Sequence, residues 1–321
     1  QMLSQQLGQT KVIPLYTKVW RLAAAILLPL LSIGALLYFY NQQSTDPLAG
    51  IDEVIVPGRE QAILTLSNGS QVVLSDTASQ SEITQGSAVV RNQQKQLVYA
   101  IEATASQENT PVYNQLETPI GGTYKLVLSD GTKVKLNAGS TLRYPVTFPQ
   151  DTRVVELSGE GYFEVTHTGS PFRVVHAAQE VEVLGTSFNV TGYPNDPQVQ
   201  TTLVDGSVRI KTADQQQLLV PGEQSVLSKD DGTIAVNVVS TTNYTAWTKG
   251  KFQFNNDSME EVMQRLSRWY GFEFEFSNAE ARGLHFTGRI NNDQQISSIL
   301  NMLEVTTAVT FDRQGKTIII Q

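Results

Sequence analysis

KLVLSDGTKVKL, residues 125–136, has the outline of a β-hairpin. Leu126 and Leu128 alternate with polar neighbours before Asp130-Gly131, and Val134 and Leu136 do so after it. An Asp-Gly pair between two alternating runs marks a tight turn between paired strands. The same unit stands 62 residues earlier as AILTLSNGSQVVL, residues 62–74, around Asn68-Gly69. Leu64, Leu66, Val72 and Leu74 align with Leu126, Leu128, Val134 and Leu136. One hairpin has been used twice, which predicts a β architecture built by repetition.

Further short extended runs follow at close spacing: 153–157, 162–165, 172–175, 181–190, 200–203, 207–211, 217–220 and 224–227. Gly159, Gly161, Gly185, Gly206 and Pro221-Gly222 punctuate them, and no helical period of useful length occurs between residues 51 and 240. Many short strands with regular turns stack to share a core as a β-sandwich or a β-solenoid, and the pattern fits both.

Near Trp247 the texture changes. GKFQFN, residues 250–255, reads as a strand with Phe252 and Phe254 on one face. Ser258 to Glu261 matches the capping box that opens a helix. Met259, Val262, Met263, Leu266 and Tyr270 recur at helical spacing, and Gly271 ends the run. Phe272, Phe274 and Phe276 then alternate as a strand. The unit repeats with a strand at 285–290, an apolar helical face of Ile296, Ile299, Leu300 and Leu303, and a hairpin turning at Arg313-Gln314-Gly315. Two β-α-β units predict a small α+β domain.

Ahead of all this lies LAAAILLPLLSIGALLYFY, residues 22–40, with no charged residue. As a helix it is roughly 28 Å long, against a hydrocarbon core of about 30 Å. Trp20, Tyr38 and Tyr40 sit at its ends, as interfacial aromatics do. The residues before it carry Lys11, Lys18 and Arg21 and no acid, so the acidic balance of the chain lies wholly beyond it. Basic flanks stay in the cytoplasm. The expected layout is a cytoplasmic juxtamembrane stub at 1–21, a single membrane span at 22–40, a polar linker at 41–50, a periplasmic β-rich domain at 51–245 and a C-terminal α+β domain at 246–321. Translation does not ordinarily begin at glutamine, so residues upstream of Gln1 are expected.

Composition narrows the chemistry. The formal net charge is −8, with 31 acidic against 23 basic residues, and no basic cluster lies beyond the apolar run, which argues against nucleic acid. There is no cysteine, and His167, His176 and His285 lack ligand spacing, so neither a metal nor another cofactor is expected. No P-loop, dinucleotide fingerprint or G-x-S-x-G elbow occurs. His167 and His176 flank the Ser170-Pro171 turn and are expected to be exposed strand-end residues. Trp247, Trp269 and Tyr270 offer the aromatics of a sugar platform, but their places beside helix and strand faces favour core packing.

LSDGTKVKLNAGSTLRYP (128–145), VELSGEGYFEV (155–165), VEVLGTSFNV (181–190), LVDGSVRI (203–210) and VPGEQSVL (220–227) occur in this order. With them the chain resembles the FecR-like family of transmembrane anti-sigma regulators in its Bacteroidota form, and the C-terminal unit resembles the small domain shared by secretins and the N-termini of TonB-dependent transducers. The resemblance implies a relay in the inner membrane, with no metabolic activity. A cytoplasmic domain, here upstream of Gln1, binds an extracytoplasmic-function sigma factor. The periplasmic part senses the signalling domain of an outer-membrane TonB-dependent transporter, often of the SusC type. Proteolysis then frees the sigma factor to transcribe uptake genes. The alternatives are a membrane-tethered periplasmic receptor that binds glycan or peptidoglycan directly, and an assembly protein related to secretin subunits.

Two sets of residues follow. The terminal apolar strand Thr317, Ile318, Ile319 and Ile320 is a candidate sheet edge for docking the transporter by strand addition, an interior strand being the alternative. Gly185-Thr186 matches the position where some family members resemble self-cleaving proteins. There the Thr186 hydroxyl would attack the Gly185 carbonyl and give an ester for water to hydrolyse; the alternative is a bulge followed by a strand residue.

Overall fold

The computed structural model describes residues 55–75, 82–85, 88–93, 95–101, 111–149, 151–176 and 178–321. The expected stub, span and linker at 1–50 lie outside them. Among the described residues no helix is long and apolar enough to cross a membrane.

The repeated hairpin is present in both copies and in the same register. Arg59–Thr65 pairs with Gln71–Ser75, setting Leu64 opposite Val72, and Gly122–Val127 pairs with Lys133–Leu136, setting Leu126 opposite Val134. Both turns are one residue longer than the two-residue turn favoured by Asn-Gly. Gly69 and Gly131 donate to the carbonyls of Leu66 and Leu128 at 2.9 Å, and only the glycines take positive φ, at 82° and 83°. This is a type I turn closed by a left-handed glycine, the common three-residue alternative. In each, the side chain before the glycine accepts from the amide two residues on, Asn68 from Ser70 and Asp130 from Thr132, both at 2.9 Å.

Among the described residues, eighteen connected strands fold into two layers. One layer runs Gln71–Ser75, Arg59–Thr65, Tyr113–Thr118, Ser140–Pro145, the first half of Arg153–Glu164, Phe172–His176, Gln179–Val183, Val208–Lys211 and Gln216–Leu219. The other runs Glu82–Gln85, Ala88–Gln93, Gln96–Ile101, Gly122–Val127, Lys133–Leu136, the second half of Arg153–Glu164, Ser187–Gly192, Gln198–Asp205, Glu223–Ser228 and Ile234–Val238. Both feed a single apolar core that includes Leu64, Leu116, Leu136, Phe163, Phe172 and Phe188. The architecture is therefore a β-sandwich, one of the two arrangements that the strand pattern admits.

The sequence placed two strand boundaries wrongly, and both errors mark where the chain changes layers. The runs 153–157 and 162–165 are one strand of 12 residues. A Cβ on Gly159 would stand 2.5 Å from Ser140 Oγ, so the glycine admits the close approach at which the strand leaves one layer for the other. Conversely, 181–190 is two strands, Gln179–Val183 and Ser187–Gly192, in different layers. Residues 184–186 cross between them.

The C-terminal part follows the expected elements closely. After a short helix α1 (Thr241–Thr245), the strand Lys251–Ser258 leads into α2 (Met259–Tyr270), whose capping box at Ser258 and Glu261 forms in full. Gly271 closes α2 in the left-handed conformation, with its amide on Ser267 O. Helix α3 (Ile296–Thr306) opens the second unit's return. The first strands of the two units pair with each other, Lys251–Ser258 against His285–Asn291. The other sheet has the order Glu273–Phe276, Thr317–Ile320, Phe311–Gln314. Thr317–Ile320 is thus the middle strand, parallel to one neighbour and antiparallel to the other. The expected free edge is corrected: Ile318 and Ile320 are fully buried, and the outer strands are Glu273–Phe276 and Phe311–Gln314.

Candidate functional site

Ile55–Gln321 is one compact unit in which the described residues form two apolar cores, and polar residues join the sandwich to the C-terminal part. The end of α2 supplies most of it. Arg268 forms an ion pair with Asp196 and lays its guanidinium 3.8 Å over the ring of Tyr193. The Tyr193 hydroxyl donates to Ala138 O at 2.9 Å. Burial raises the Tyr193 phenol far above its ordinary value, so it stays a neutral donor. The backbone joins as well: Gly121 N donates to Arg268 O at 2.8 Å, so a turn of the sandwich satisfies a carbonyl at the helix end. Trp269 Nε1 donates to Asn292 O at 2.7 Å and the Tyr270 hydroxyl to Gln294 O at 2.7 Å, which pins α2 to the loop ahead of α3.

Beside this contact runs a chain of amides and one carboxylate. Trp247 Nε1 donates to Asn189 Oδ1 at 3.1 Å. Asn189 Nδ2 in turn donates to Glu160 Oε1 at 2.9 Å, and Glu160 also accepts from Thr191 Oγ1 at 3.0 Å and from Asn137 Nδ2 at 2.6 Å. Lys135 Nζ donates to Thr248 O at 2.9 Å and lies 5.7 Å from the Trp247 ring. Desolvation lowers the Lys135 pKa to about 8, with Lys125 adding to the shift and Glu60 opposing it. Several of these groups border a cleft of about 390 Å³ that also includes Gln198, Tyr244 and Gln264. Trp247 and Trp269 are buried and their N–H groups are spent on the protein, so they are packing residues rather than an open sugar platform.

Gly185 and Thr186 lie at the layer crossing. Thr186 is 4% exposed, and its hydroxyl donates to Ser207 O at 3.0 Å. A Cβ on Gly206 would meet Thr186 Oγ1 at 2.8 Å and Gly185 O at 2.9 Å, so that glycine allows two backbones to touch. A Cβ on Gly185 would meet His167 Cβ at 2.8 Å and Nδ1 at 2.9 Å, so the glycine allows His167 to pack closely beside it. His167 is exposed as expected. His176 is not: it is 7% exposed with Nε2 against Gly192 O at 2.8 Å, because its strand faces the second layer. Close by Gly185, Arg153 is buried and holds together Asp130 Oδ2, Thr166 O and Ser170 O at 2.7, 2.8 and 2.6 Å.

The structure does not bring the two expected sites together; Gly185-Thr186 belongs to the sandwich and Thr317–Ile320 to the C-terminal core. The residues that do converge escaped sequence reasoning. Arg268 and Asp196 are 72 positions apart and Trp247 and Asn189 are 58 apart, with no motif at either end. No group of three or more His, Asp or Glu able to hold a metal ion occurs among the described residues.

Comparison with known proteins bears on this arrangement. The model of the FecR protein matches residues 114–209, and that of the FecR C-terminal domain matches residues 251–320. Two crystal structures, at 1.65 and 2.50 Å resolution, of a protein from Parabacteroides distasonis ATCC 8503 provisionally described as an anti-sigma factor superpose on this chain. Each has a TM-score of 0.61 and 29% identity, covering 64% and 65% of this chain and 98% of the other. No curated protein matches.

Proposed function

Because the chain belongs to the FecR-like family, we propose that it is an anti-sigma regulator, anchored in the inner membrane by residues 22–40 with its N-terminus in the cytoplasm. In this reading it relays the ligand-bound state of an outer-membrane TonB-dependent transporter, of the SusC type among others, to an extracytoplasmic-function sigma factor. The observation that carries the reading is that both FecR models match in order, over the sandwich and over the C-terminal part, within a body similar to an anti-sigma factor's. The buried, fully bonded tryptophans support the relay over a direct glycan receptor, which needs exposed rings to stack on sugars. The C-terminal part is the docking domain for the transporter's signalling domain. Co-purification of that signalling domain with the whole protein, and its loss on deleting residues 247–321, is the expected result. Retained binding after that deletion refutes the docking role.

Self-cleavage at Gly185-Thr186 is favoured by one observation, the close packing of His167 and Gly206 on that segment. In this reaction Thr186 Oγ adds to the Gly185 carbonyl carbon, and the hydroxyl proton passes to the amide nitrogen that leaves. The C–N bond then breaks, with the amine leaving protonated. Water hydrolyses the resulting ester to a Gly185 carboxylate and restores the Thr186 hydroxyl.

A further inference from the structure

Residues 55–58 enter the folded body between the C-terminal part and the sandwich whose first strand they precede. Ile55 is 7% exposed and belongs to the C-terminal core, with Phe252, Leu266 and Trp269. Gly58 lies against the Trp269 indole so closely that a Cβ there would stand 2.8 Å from Cδ2 and Cε3. The other side is equally tight, since the same Cβ would be 2.6 Å from Gly121 O. Arg59 N donates to that Gly121 carbonyl at 2.8 Å, and Gly121 N donates to Arg268 O at 2.8 Å. The segment is therefore clasped between the end of α2 and the 119–122 turn of the sandwich.

We infer that residues 55–58 are a strap held shut by α2, so that loosening the Arg268–Asp196 contact frees the chain leading back to residue 54 while the sandwich stays folded. The physical ground is the division of contacts. The sandwich holds this stretch at the Gly121 carbonyl, Gly58 is wedged between that carbonyl and the Trp269 indole, and Ile55 belongs to the apolar cluster built mostly from the C-terminal part. Burial of a single isoleucine side chain is enough to keep so short a segment seated and small enough for a partner to overcome. Release adds roughly 13 Å of extended chain between the body and whatever precedes it. A partner that draws α2 off Tyr193 and Asp196 would thus act on the tether directly. The inference rests on the proposed function only for what the tether leads to; the seam itself is tested without any partner.

The chain contains no cysteine, so the single thiol of an Ile55→Cys variant reports the seam cleanly. Its labelling by a maleimide is compared with that of Val262→Cys in the core of α2 and Leu116→Cys in the sandwich, each fully buried. In an Arg268→Ala background the rate at position 55 should rise by about tenfold or more, while the other two rates hold, as local opening without unfolding requires. An unchanged rate at position 55 overturns the strap. So does a parallel rise at all three positions, which would mean general unfolding.

Discussion

Asp130 and Arg153 form an ion pair of 2.7 Å whose side chains are only 7% and 3% exposed. Asp130 closes the second copy of the repeated hairpin, and Arg153 begins the strand shared by both layers. The pair therefore ties the repeat unit to the crossing of the sandwich. Removing one member leaves the other charge buried, which costs about 3–5 kcal/mol. Asp130→Ala should lower the urea midpoint of the sandwich accordingly. Asn68→Ala, at the equivalent exposed turn of the first copy, loses only a local bond to Ser70 and should cost about 1 kcal/mol.

Arg268 and Asp196 are each about a fifth exposed at the side chain, and the guanidinium also covers Tyr193. A double-mutant cycle of Arg268→Ala and Asp196→Ala should return a coupling of about 1–2 kcal/mol, above an exposed pair and below a buried one. Exposed pairs such as Lys133 with Glu164 should give nearly zero in the same measurement.

Lys135 and His176 act in different pH windows with the same sign. Burial lowers the Lys135 pKa from 10.5 in the unfolded chain to about 8, so between those values the unfolded chain binds more protons and stability rises with pH. The gain is about 1–3 kcal/mol after allowing for partial exposure, and Lys135→Met should abolish it. Burial also depresses the His176 pKa, with the Gly192 carbonyl opposing the shift and Lys229 adding to it. Stability held above the unfolded value of 6.5 should be lost as pH falls below it. His176→Gln should flatten that acid limb in thermal melts run from about pH 7.5 to about pH 5.

Self-cleavage predicts two bands on a denaturing gel, their sizes set by a break between Gly185 and Thr186. Thr186→Ala should give one band. A single band in the unmodified chain removes the chemistry and leaves Thr186 as a buried strand-end residue bonded to Ser207 O.

Local rules carried most of the C-terminal part. Ser258 and Glu261 cap α2, Gly271 ends it, and Gly315 turns the last hairpin with φ 64°, each a choice made within a few residues. The repeated hairpin was legible for the same reason. What the sequence misplaced depends on contacts between distant segments. Gly159 looks like a strand breaker until Ser140 is set against it, and 184–186 looks like strand until the layer change is seen. Thr317–Ile320 reads as a terminal edge because nothing local reveals that Phe311–Gln314 and Glu273–Phe276 flank it. The seam of Gly58, Tyr193, Asp196, Arg268 and Trp269 was invisible because its members share no spacing, and apolar and charged pairs of this kind are recognisable only once the fold has assembled them.

The relay itself is tested most directly by transcription of the transporter operon in cells with and without this gene, grown with and without the transporter's ligand. An anti-sigma regulator predicts a strong ligand response that disappears when the gene is deleted and returns on complementation. An identical response in both strains contradicts the account.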